Sequence, residues 1–506
     1  MALATVHSRG TLGLLAPPVA VEVDLAPGIP GLYLVGLPEA AVRESKERVR
    51  AALRNSGFAV PPRRITVNLA PADLPKEGTR FDLPIALAIL SACGMIPSQA
   101  LDELEFFGEL GLGGELRAIR AALPSAHAAM SDGRMVVVPV GNAAELALLD
   151  GVRGFAASTI RQVVDHLAGQ QCLDALPEVR QETAIIEAGG GEIGDVAGQD
   201  DAKRALLLAA AGGHSLLLTG PPGTGKSMLA RCLPGLLPPM EHQEALQAAM
   251  IHSAAPGHLG RYRHGQRPFR SPHHSASAAA LVGGGAPPQP GEVSLAHGGV
   301  LFLDELPHFE NRALNVLREV LETGEVHLAR AEFRVTYPSR FQLVAAMNPC
   351  ACGLAGTPRC RCTPESIRRY QGRLSGPLLD RIDLFVQLPA LPAHELMQRR
   401  MGPCSAELRE QVTLARQRQL ERAGILNATL GVAQTETICR PDPAGETLLQ
   451  RAMQQLGLSA RGYHRILRLA RTISDLDGHK MVPATAVAEA LHYRRMPLTE
   501  AESSFS

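Results

Sequence analysis

This chain of 506 residues contains few lysines and carries almost no net charge. Fifty basic residues balance fifty acidic ones, so the formal net charge is zero. This balance excludes a protein that holds nucleic acid or an anionic membrane by bulk positive charge, and any polyanion site must be a local cluster. Any chemistry that needs a lysine has only five candidates, which are Lys46, Lys76, Lys203, Lys226 and Lys480.

The chain also lacks the marks of a secreted or membrane protein. No run approaches the roughly 18 uninterrupted apolar residues of a bilayer span, and residues 1–10 lack the basic and apolar regions of a signal peptide. Nine cysteines, an odd number in a long chain, disfavour a disulfide framework. We therefore expect a cytoplasmic protein with no membrane partner, and its length predicts two to four domains.

Patterning divides the chain into three predicted domains. Residues 1–178 mix strand-like segments such as 19–25 with helical periodicity at 39–56, and residues 179–194, which contain a triple glycine, form a predicted linker. In residues 195–392, apolar runs alternate with helices, which is typical of a parallel sheet. Residues 393–506 have helical periodicity almost throughout.

One glycine-rich segment has the form of a phosphate-binding loop. It follows the apolar run 215–219, precedes a helical pattern, and satisfies GxxxxGK[ST]. Glycines let successive backbone N–H groups turn toward phosphate oxygens, and the helix N-terminus adds partial positive charge. We predict that the lysine reaches the β and γ phosphates of ATP and that the serine binds Mg²⁺. The residues are Gly220, Pro221, Pro222, Gly223, Thr224, Gly225, Lys226 and Ser227.

Two further apolar runs end in polar residues. The run 299–303 leads into Asp304 and Glu305, as expected for a buried strand whose carboxyl end faces a ligand. We predict that Asp304 holds Mg²⁺ and that Glu305 polarises the attacking water, although adjacent acids at this point can also simply begin a helix. The run 341–347 ends at Asn348, where a γ-phosphate sensor would lie.

These motifs together resemble an AAA+ ATPase module. More narrowly, RPFRSPHHSAS (267–277), GEVSLAHGGVLFLDELPHF (291–309) and AAMNPCACG (345–353) resemble the magnesium-chelatase-like ATPases of the ComM/YifB type. The resemblance extends from LVGLPEAAVRESKERVRAAL (34–53) to SARGYHRILRLARTI (459–473). It implies an α/β P-loop core with a parallel sheet and helices on both faces, a C-terminal helical lid, and an N-terminal α+β domain similar to the Lon protease fold (ribosomal S5 domain 2-like).

The resemblance also implies an activity and two arginine roles. Proteins of this type are associated with DNA branch migration in natural transformation and recombination, as ATP- and Mg²⁺-dependent rings, which predicts a homohexamer acting on single-stranded or branched DNA. AAA+ sites lie between subunits, and Arg381 matches the position of the arginine that reaches a neighbour's γ-phosphate, with Arg373 as second choice. Arg461 matches the lid arginine called sensor 2. The alternative for each arginine is a surface ion pair.

Two other functions remain to be weighed against a DNA motor. A Lon-like protease needs a serine and a desolvated lysine, but Arg80 stands where the serine is expected and no lysine lies between Lys76 and Lys203. A chelatase-like motor, which would drive metal insertion or remodel a protein partner, shares the ATPase core. We place it second, because chelatase motor subunits as a family lack the Lon-like region and the cysteine cluster.

A local basic cluster supplies candidate DNA contacts. Segment 261–274 contains arginines, histidines and aromatics but no acid, and a predicted hairpin at 326–336 adds two more arginines. Guanidinium groups pair with phosphates and aromatic rings stack on unpaired bases, and the resemblance puts both segments near the pore of the ring. The alternative is that they brace the subunit interface. The candidates are Arg261, Arg263, Arg267, Arg270, Arg330 and Arg334.

Four cysteines within 348–364 form the pattern C-x-C-x7-C-x-C directly after Asn348. Four thiolates at such short range suit tetrahedral Zn²⁺, with Zn–S distances of about 2.3 Å. A spacing of one residue is less usual than two, so four incidental thiols and an iron–sulfur cluster remain alternatives. We predict structural zinc bound by Cys350, Cys352, Cys360 and Cys362.

Overall fold

The structure, a computed structural model, describes residues 2–36, 40–74, 76, 78–177, 191–257, 262, 264–285, 288–329, 334–392 and 402–494. It contains an N-terminal mixed sheet, a central parallel sheet and a C-terminal group of helices. Across these described residues, none of the helices has both the length and the apolar character needed to span a bilayer.

The N-terminal region is built on a twisted eight-stranded sheet in the order β10-β9-β8-β5-β1-β2-β4-β3. Its strands, with the short hairpin β6–β7, are β1 (Ala2–Arg9), β2 (Pro18–Ala26), β3 (Gly31–Val35), β4 (Arg64–Ala70), β5 (Leu104–Phe106), β6 (Glu109–Leu110), β7 (Leu116–Arg117), β8 (Met135–Pro139), β9 (Gly154–Ala157) and β10 (Asp174–Ala175). The helices are α1 (Ala40–Asn55), α2 (Asp82–Ala92), α3 (Ala122–Ser131), α4 (Val140–Leu146) and α5 (Ile160–Leu167).

The sheet buries one face, because alternate residues of β2 and β4 are buried and pack with the almost wholly apolar helix α2. The predicted strand at 19–25 and helix at 39–56 therefore correspond to β2 and α1. The Lon-like ancestry of this region stays a prediction.

Arg80 and Lys76 have structural contacts in this region. The Arg80 guanidinium is buried and donates to the Ser125 Oγ at 2.9 Å and to the Arg9 carbonyl at 3.3 Å. Lys76 is also buried and donates to the carbonyl of Pro71. Both side chains tie loops of this region together.

The central sheet is parallel throughout, in the order β12-β15-β18-β11-β19. The strands of this region are β11 (Leu216–Thr219), β12 (Phe269–Arg270), β13 (Gly283–Gly284), β14 (Gln289–Pro290), β15 (Val300–Leu303), β16 (Glu325–Ala329), β17 (Arg334–Pro338), β18 (Gln342–Met347) and β19 (Leu384–Gln387). The helices are α6 (Asp200–Gly212), α7 (Lys226–Leu236), α8 (His242–Ala254), α9 (Ala278–Val282), α10 (Glu292–Leu295), α11 (Asn311–Thr323), α12 (Pro364–Gln371) and α13 (Gly376–Leu379).

Every residue of β11, β15 and β18 is buried, as expected when helices cover both faces of a parallel sheet. One face packs with α6 and α7, and the other with α11 and α13. The predicted parallel α/β core is confirmed. All four loops that follow β11, β15, β18 and β19 begin at the same edge of the sheet.

The N-terminal region lies against the central one at several places. Leu12 and Leu14 pack against the hydrophobic cluster that contains Val335 and Tyr337 of the β16–β17 hairpin. The backbone N–H of Ala121 donates to the carbonyl of Ser253, near the end of α8, at 2.8 Å. The hairpin expected at 326–336 is thus supported by residues from the start of the chain.

The C-terminal region is helical, as predicted, and its helices pack on α6 and α7. Asp475 is buried at its centre; burial opposes ionisation, but hydrogen bonds from Arg422 and the nearby Arg471 charge hold the Asp475 pKa below its usual range. The helices are α14 (Ser405–Ala423), α15 (Val432–Ile438), α16 (Pro443–Leu456), α17 (Ala460–Asp477) and α18 (Ala484–His492).

The predicted linker, 179–194, differs from expectation at its end. Residues 179–190 lie outside the described residues. Glu192 accepts a hydrogen bond from the first N–H of α14, at Ser405, at 2.5 Å, and Ile193 N donates to the Ser405 Oγ at 3.1 Å. Because Glu192 satisfies an unpaired helix N-terminus, this end of the segment is packed rather than a free linker.

Candidate functional site

The glycine-rich loop 220–225 joins the carboxyl end of β11 to the start of α7, as the motif requires. Gly223 and Gly225 have φ of 80° and 89°, a left-handed conformation that favours glycine. The Thr224 Oγ1 donates to the carbonyl of Pro221 at 2.9 Å, which closes the turn. The loop therefore has the conformation in which backbone N–H groups form an anion-binding concavity.

Lys226 is the first residue of α7 and is buried. Its Nζ donates to the carbonyls of Gly220 and Pro221, at 2.6 and 2.9 Å, and to the Asn348 Oδ1 at 3.1 Å. Burial lowers the Lys226 pKa, against the opposing charges of Asp304 and Glu305. Adjacent strands β11 and β18 thus bring together the lysine and the asparagine, which lie 122 residues apart.

Ser227 and Asp304 meet beside the lysine. The Ser227 Oγ donates to the Asp304 Oδ2 at 2.8 Å, and the Asp304 Oδ1 accepts the Glu305 N–H at 2.9 Å. A hydroxyl and a carboxylate are hard oxygen ligands of the kind that Mg²⁺ prefers. The donor set therefore fits the predicted cation, whose chemistry there would be to neutralise phosphate charge.

Glu305 adopts φ of 52°, an uncommon left-handed conformation for a residue other than glycine. Its Oε2 lies 3.1 Å from His274 Nδ1 and 3.2 Å from His308 Nδ1. Both histidines contact Oε2, so they fix the orientation of the Glu305 carboxylate. The other oxygen, Oε1, can then face a different partner. The ring of His308 also meets Tyr370, with centroids 6.0 Å apart.

Sequence reasoning missed the two histidines at Glu305. His274 belongs to the segment predicted to contact DNA or to brace the subunit interface. Its approach to Glu305 depends on the pairing of β12 with β15, in which Phe269 faces Val300. His308 is three residues from Glu305 in a short 3₁₀ turn. The sequence does contain a signal for His308, because it follows the Asp304-Glu305 pair at the spacing of one helical turn.

Arg381 and Arg461 lie together, but away from the glycine-rich loop. Both line a cavity of about 450 Å³ that also includes Ser215 and Phe341, which precede β11 and β18. The cavity is therefore at the amino edge of the sheet, whereas the loop is at its carboxyl edge. The four residues of β11, at about 3.3 Å each, separate the two edges by roughly 13 Å. Neither arginine is part of the phosphate site of its own chain.

The surroundings of Arg381 are strongly basic. Its Nη1 donates to the Pro377 carbonyl at 2.7 Å and its Nη2 contacts Glu322, but its buried Nε has no hydrogen-bond partner among the described residues. Burial, together with the charges of Arg318, Arg461 and Arg465, lowers the Arg381 pKa. Arg461 itself is exposed. The second choice for the finger, Arg373, is exposed and interacts electrostatically with Tyr370.

The predicted DNA-binding arginines differ in their surroundings. Arg267 is nearly buried and donates to the carbonyls of Pro238 and Gly298, at 2.7 and 2.5 Å, and to Glu244 at 3.0 Å. Arg270 forms a two-point ion pair with Glu292, both bonds at 2.7 Å. These contacts within the chain favour a structural role for Arg267 and Arg270.

Arg334 begins β17 and is exposed, so it has the exposure that a phosphate contact needs. The other three candidates, Arg261, Arg263 and Arg330, lie outside the described residues. A role on DNA stays a prediction for all of these arginines.

The cysteine cluster, Cys350, Cys352, Cys360 and Cys362, closes into one group after β18. Its sulfur atoms all lie within 4.8 Å of one another. Cys350 Sγ is 3.4 Å from Cys352 Sγ and 3.9 Å from Cys360 Sγ, and the Cys352 and Cys360 sulfurs are 3.7 Å apart. The cluster can hold a metal ion, and all of its cysteines are free thiols.

Family models for magnesium chelatase match three parts of the chain. The model described as magnesium chelatase, subunit ChlI, matches residues 192–396, and the ChlI C-terminal model matches 402–494. A further model, described as subunit ChlI of Mg-chelatase, matches residues 21–142. Because this last model carries the name of a chelatase subunit, the N-terminal region does not by itself separate a DNA motor from a chelatase-like motor.

Individual relatives match over nearly the whole chain. The chain is 48% identical over 499 residues to the competence protein ComM of Haemophilus influenzae, covering 98% of each protein. It is 47% identical over 496 residues to YifB of Escherichia coli, covering 98% of this chain and 97% of that one. Similarity to the magnesium-chelatase 38 kDa subunit of Rhodobacter capsulatus is lower, with 27% identity over 351 residues, 61% of this chain and 89% of the relative.

Proposed function

The chain belongs to the ComM and YifB family of magnesium-chelatase-like ATPases, and we propose that it is a ring-forming motor that hydrolyses ATP to move DNA. The activity we infer is that of a helicase that promotes branch migration in natural transformation and recombination. The proposed domains are 1–178, 195–392 and 393–506, and the proposed location is the cytoplasm. The chemistry that follows is carried by residues at the carboxyl edge of the central sheet.

ATP binding and hydrolysis are assigned to residues from three neighbouring strands. Lys226 and the loop N–H groups hold the phosphates, and Asn348, hydrogen-bonded to Lys226, senses the γ-phosphate. Ser227 and Asp304 would hold Mg²⁺. Glu305 orients the attacking water and accepts its proton. The observation that supports these roles is the convergence of the lysine, serine and both carboxylates around one loop.

The positions of two arginines support the proposed ring. Arg381 and Arg461 share a basic cavity at the opposite edge of the sheet from their own phosphate loop. The buried Nε of Arg381, which has no hydrogen-bond partner among the residues that the structure describes, and the crowding of like charge around it are suited to an anion brought by another molecule. We therefore assign both arginines to the nucleotide of the adjacent subunit, in a ring of six.

Mixing two inactive variants tests shared sites. Lys226→Ala removes the phosphate lysine and Arg381→Ala removes the arginine supplied to the neighbour, so each variant alone should lose ATPase activity. In an equal mixture, about one site in four combines an intact lysine with an intact neighbouring arginine, so roughly a quarter of the activity should return. Arg440→Ala, which alters an exposed arginine paired with Glu446, is the matched control. Failure of the mixture to recover any activity contradicts sharing.

The DNA part of the proposal is supported by the near-full-length similarity to a competence protein, since competence is the uptake of DNA by bacteria. Among the described arginines, exposed Arg334 on the β16–β17 hairpin is the proposed phosphate contact, with Arg261, Arg263 and Arg330 assigned the same role. Six copies of such a cluster around one pore would supply local positive charge from a chain that has none in bulk.

The decisive measurement is the ATPase rate with and without single-stranded and branched DNA, together with strand displacement from a branched substrate. We expect stimulation and displacement by the wild type. Arg334→Glu should be stimulated more weakly, and its stimulation should fall less steeply with salt, because one phosphate contact is lost. Arg440→Glu is the charge-matched control. An ATPase that ignores both DNAs and displaces no strand refutes the DNA part and leaves the ATPase assignment intact.

The alternative is a chelatase-like motor that drives metal insertion or remodels a protein partner. The similarity to the magnesium-chelatase 38 kDa subunit and the three chelatase family models favour it. It predicts an ATPase rate that is unchanged by DNA and depends on a partner protein, so the same DNA measurement separates the two functions.

A further inference from the structure

The cysteine cluster has no part in the ATPase chemistry described above, yet it follows directly after Asn348. We propose that the cluster binds one Zn²⁺ and that the metal holds loop 349–362 against the phosphate-binding loop, so that ATP affinity depends on metal occupancy. The proposal rests on the assignment of residues 220–227 to ATP and is independent of any action on DNA.

The sulfur positions fit a single tetrahedral ion. Four sulfurs at about 2.3 Å from one Zn²⁺ are separated by the edge of a tetrahedron, about 3.8 Å. The three sulfur–sulfur separations of 3.4, 3.7 and 3.9 Å in the structure bracket this value. A disulfide needs about 2.05 Å between sulfurs, and an iron–sulfur cluster would spread its ligands around several irons. Among zinc, a disulfide and an iron–sulfur cluster, zinc therefore fits the sulfur–sulfur distances best.

Tight turns bring the two Cys-x-Cys segments together. The N–H of Gly353 donates to the Cys350 carbonyl at 2.9 Å, and the N–H of Cys360 donates to the Thr357 carbonyl at 3.1 Å. On binding Zn²⁺ each thiol that coordinates releases its proton to solvent, and no redox change accompanies the step. The one-residue spacing is therefore accommodated by backbone turns on each side.

The loop is in close contact with the phosphate site. Gly353 approaches Pro222 so nearly that a Cβ added to the glycine would lie 2.7 Å from Pro222 Cδ and 3.8 Å from Asn348 Cγ. At its other end the loop leads into α12, where Gln371 Nε2 donates to the Pro349 carbonyl at 3.1 Å. A metal that fixes the cysteines therefore also fixes Gly353, which packs on Pro222.

This arrangement makes the metal a support for the nucleotide cradle. Closing a segment of about a dozen residues costs conformational entropy, and four metal–sulfur bonds offset that cost in the native state. Without the metal, Pro222 loses a fixed neighbour and the phosphate loop must be ordered when ATP binds. We expect ATP affinity to fall by about tenfold. This value corresponds to a phosphate-binding loop that is ordered in about one tenth of the molecules.

The test combines metal analysis with nucleotide binding in the full-length protein. Protein purified without chelator should contain one zinc per chain, and so should Cys172→Ser, which removes an exposed thiol outside the cluster. Cys352→Ser should lose zinc and bind a fluorescent ATP analogue about tenfold more weakly, whereas Lys226→Ala should lose nucleotide binding but keep zinc. Wild-type protein without zinc overturns the metal site, and zinc loss with unchanged ATP affinity overturns the coupling.

A reversible experiment covers a failure of Cys352→Ser to fold. Zinc is removed from the wild type with a chelator and a thiol-reactive mercurial, and after thiol recovery either Zn²⁺ or Co²⁺ is added back. We expect the Kd for the ATP analogue to rise on removal and return on addition, and the cobalt form to show the visible absorption of tetrahedral thiolate coordination. A Kd that does not follow the metal, or a cobalt spectrum of octahedral type, contradicts the proposal.

Discussion

Two glycines of the cysteine loop allow its contact with the phosphate site to be measured. Gly353 and Gly356 have nearly the same left-handed conformation, with φ of 79° and 84°. A Cβ at Gly353 would lie 2.7 Å from Pro222 Cδ, whereas a Cβ at Gly356 would meet nothing within 4 Å. Gly353→Ala and Gly356→Ala therefore share the backbone strain, and only the former disturbs Pro222.

The magnitude follows from the geometry. Placing alanine in the left-handed region costs about 1–2 kcal/mol in either variant. Ordinary contact begins at 3.4 Å, so in Gly353→Ala the loop or Pro222 must move by 3.4 − 2.7 = 0.7 Å. Overpacking of this kind costs roughly 1–3 kcal/mol, and catalytic and binding groups tolerate displacements of only about 0.5 Å. We expect the Kd for ATP to rise about tenfold in Gly353→Ala and less than about twofold in Gly356→Ala.

The assay is titration with a fluorescent ATP analogue, with thermal unfolding and zinc content measured on the same samples. Both variants should keep their zinc and lose the stability that the backbone strain costs, and Gly353→Ala should lose roughly 1–3 kcal/mol more through overpacking. The difference between the two variants therefore reports the contact with Pro222. Wild-type ATP affinity in both variants would refute the reasoning. An equal loss of affinity in both would refute it too, since that result would trace the effect to backbone strain alone.

Three further predictions concern other residues of the site and of the basic segment. Lys226→Ala should abolish nucleotide binding, whereas Glu305→Gln should bind ATP but hydrolyse it at least a hundredfold more slowly; normal hydrolysis by Glu305→Gln contradicts the role of that carboxylate. His274→Phe keeps a ring but removes the donor to Glu305 Oε2, so it should lower kcat several-fold with little change in KM. His274→Asn, which keeps a donor, should restore kcat. A rise in kcat in His274→Phe would mean that the histidine restrains Glu305 instead. Arg267→Ala removes a nearly buried side chain that pairs with a Glu244 about one third exposed and donates to two backbone carbonyls, and it should destabilise the protein by about 1–3 kcal/mol in a thermal melt. Arg334→Ala should instead change DNA-stimulated ATPase and leave the melting temperature within about 2 °C; the reverse pattern contradicts the division between structural and DNA-facing arginines.

Local motifs made the nucleotide site readable from the sequence. A phosphate-binding loop is defined by residues that follow one another, and the strands before Asp304 and Asn348 are continuous apolar runs whose carboxyl ends must meet in a parallel sheet. The cysteine pattern was readable for the same reason, because the four residues lie within 13 positions. These features depend on chain geometry that short-range sequence patterns specify.

Contacts between distant segments could not be predicted from the sequence. Arg267 is held by Glu244, 23 residues earlier, and Arg270 by Glu292, 22 residues later. A segment without acids therefore gave no sign that acids from α8 and α10 would neutralise its arginines. Similarly, His274 reaches Glu305 only through the pairing of β12 with β15. In each case the partner is chosen by sheet order and helix packing, which residue spacing alone does not determine.

The distribution of arginine, rather than its number, carries the argument about function. In this neutral chain many of the guanidinium groups serve the fold, as Arg80 and Arg471 do in buried networks. Arg381 is different, since three other arginines surround it and its buried Nε has no partner in the described part of the chain. Glu322 pairs with Arg381 and Asp383 pairs with Arg465, but arginines outnumber carboxylates in the lining of this cavity. The remaining excess of like charge is unfavourable for an isolated subunit. The cost is offset if a neighbour's phosphates enter the cavity, so the same arginines that destabilise the single chain would favour the ring when ATP is bound.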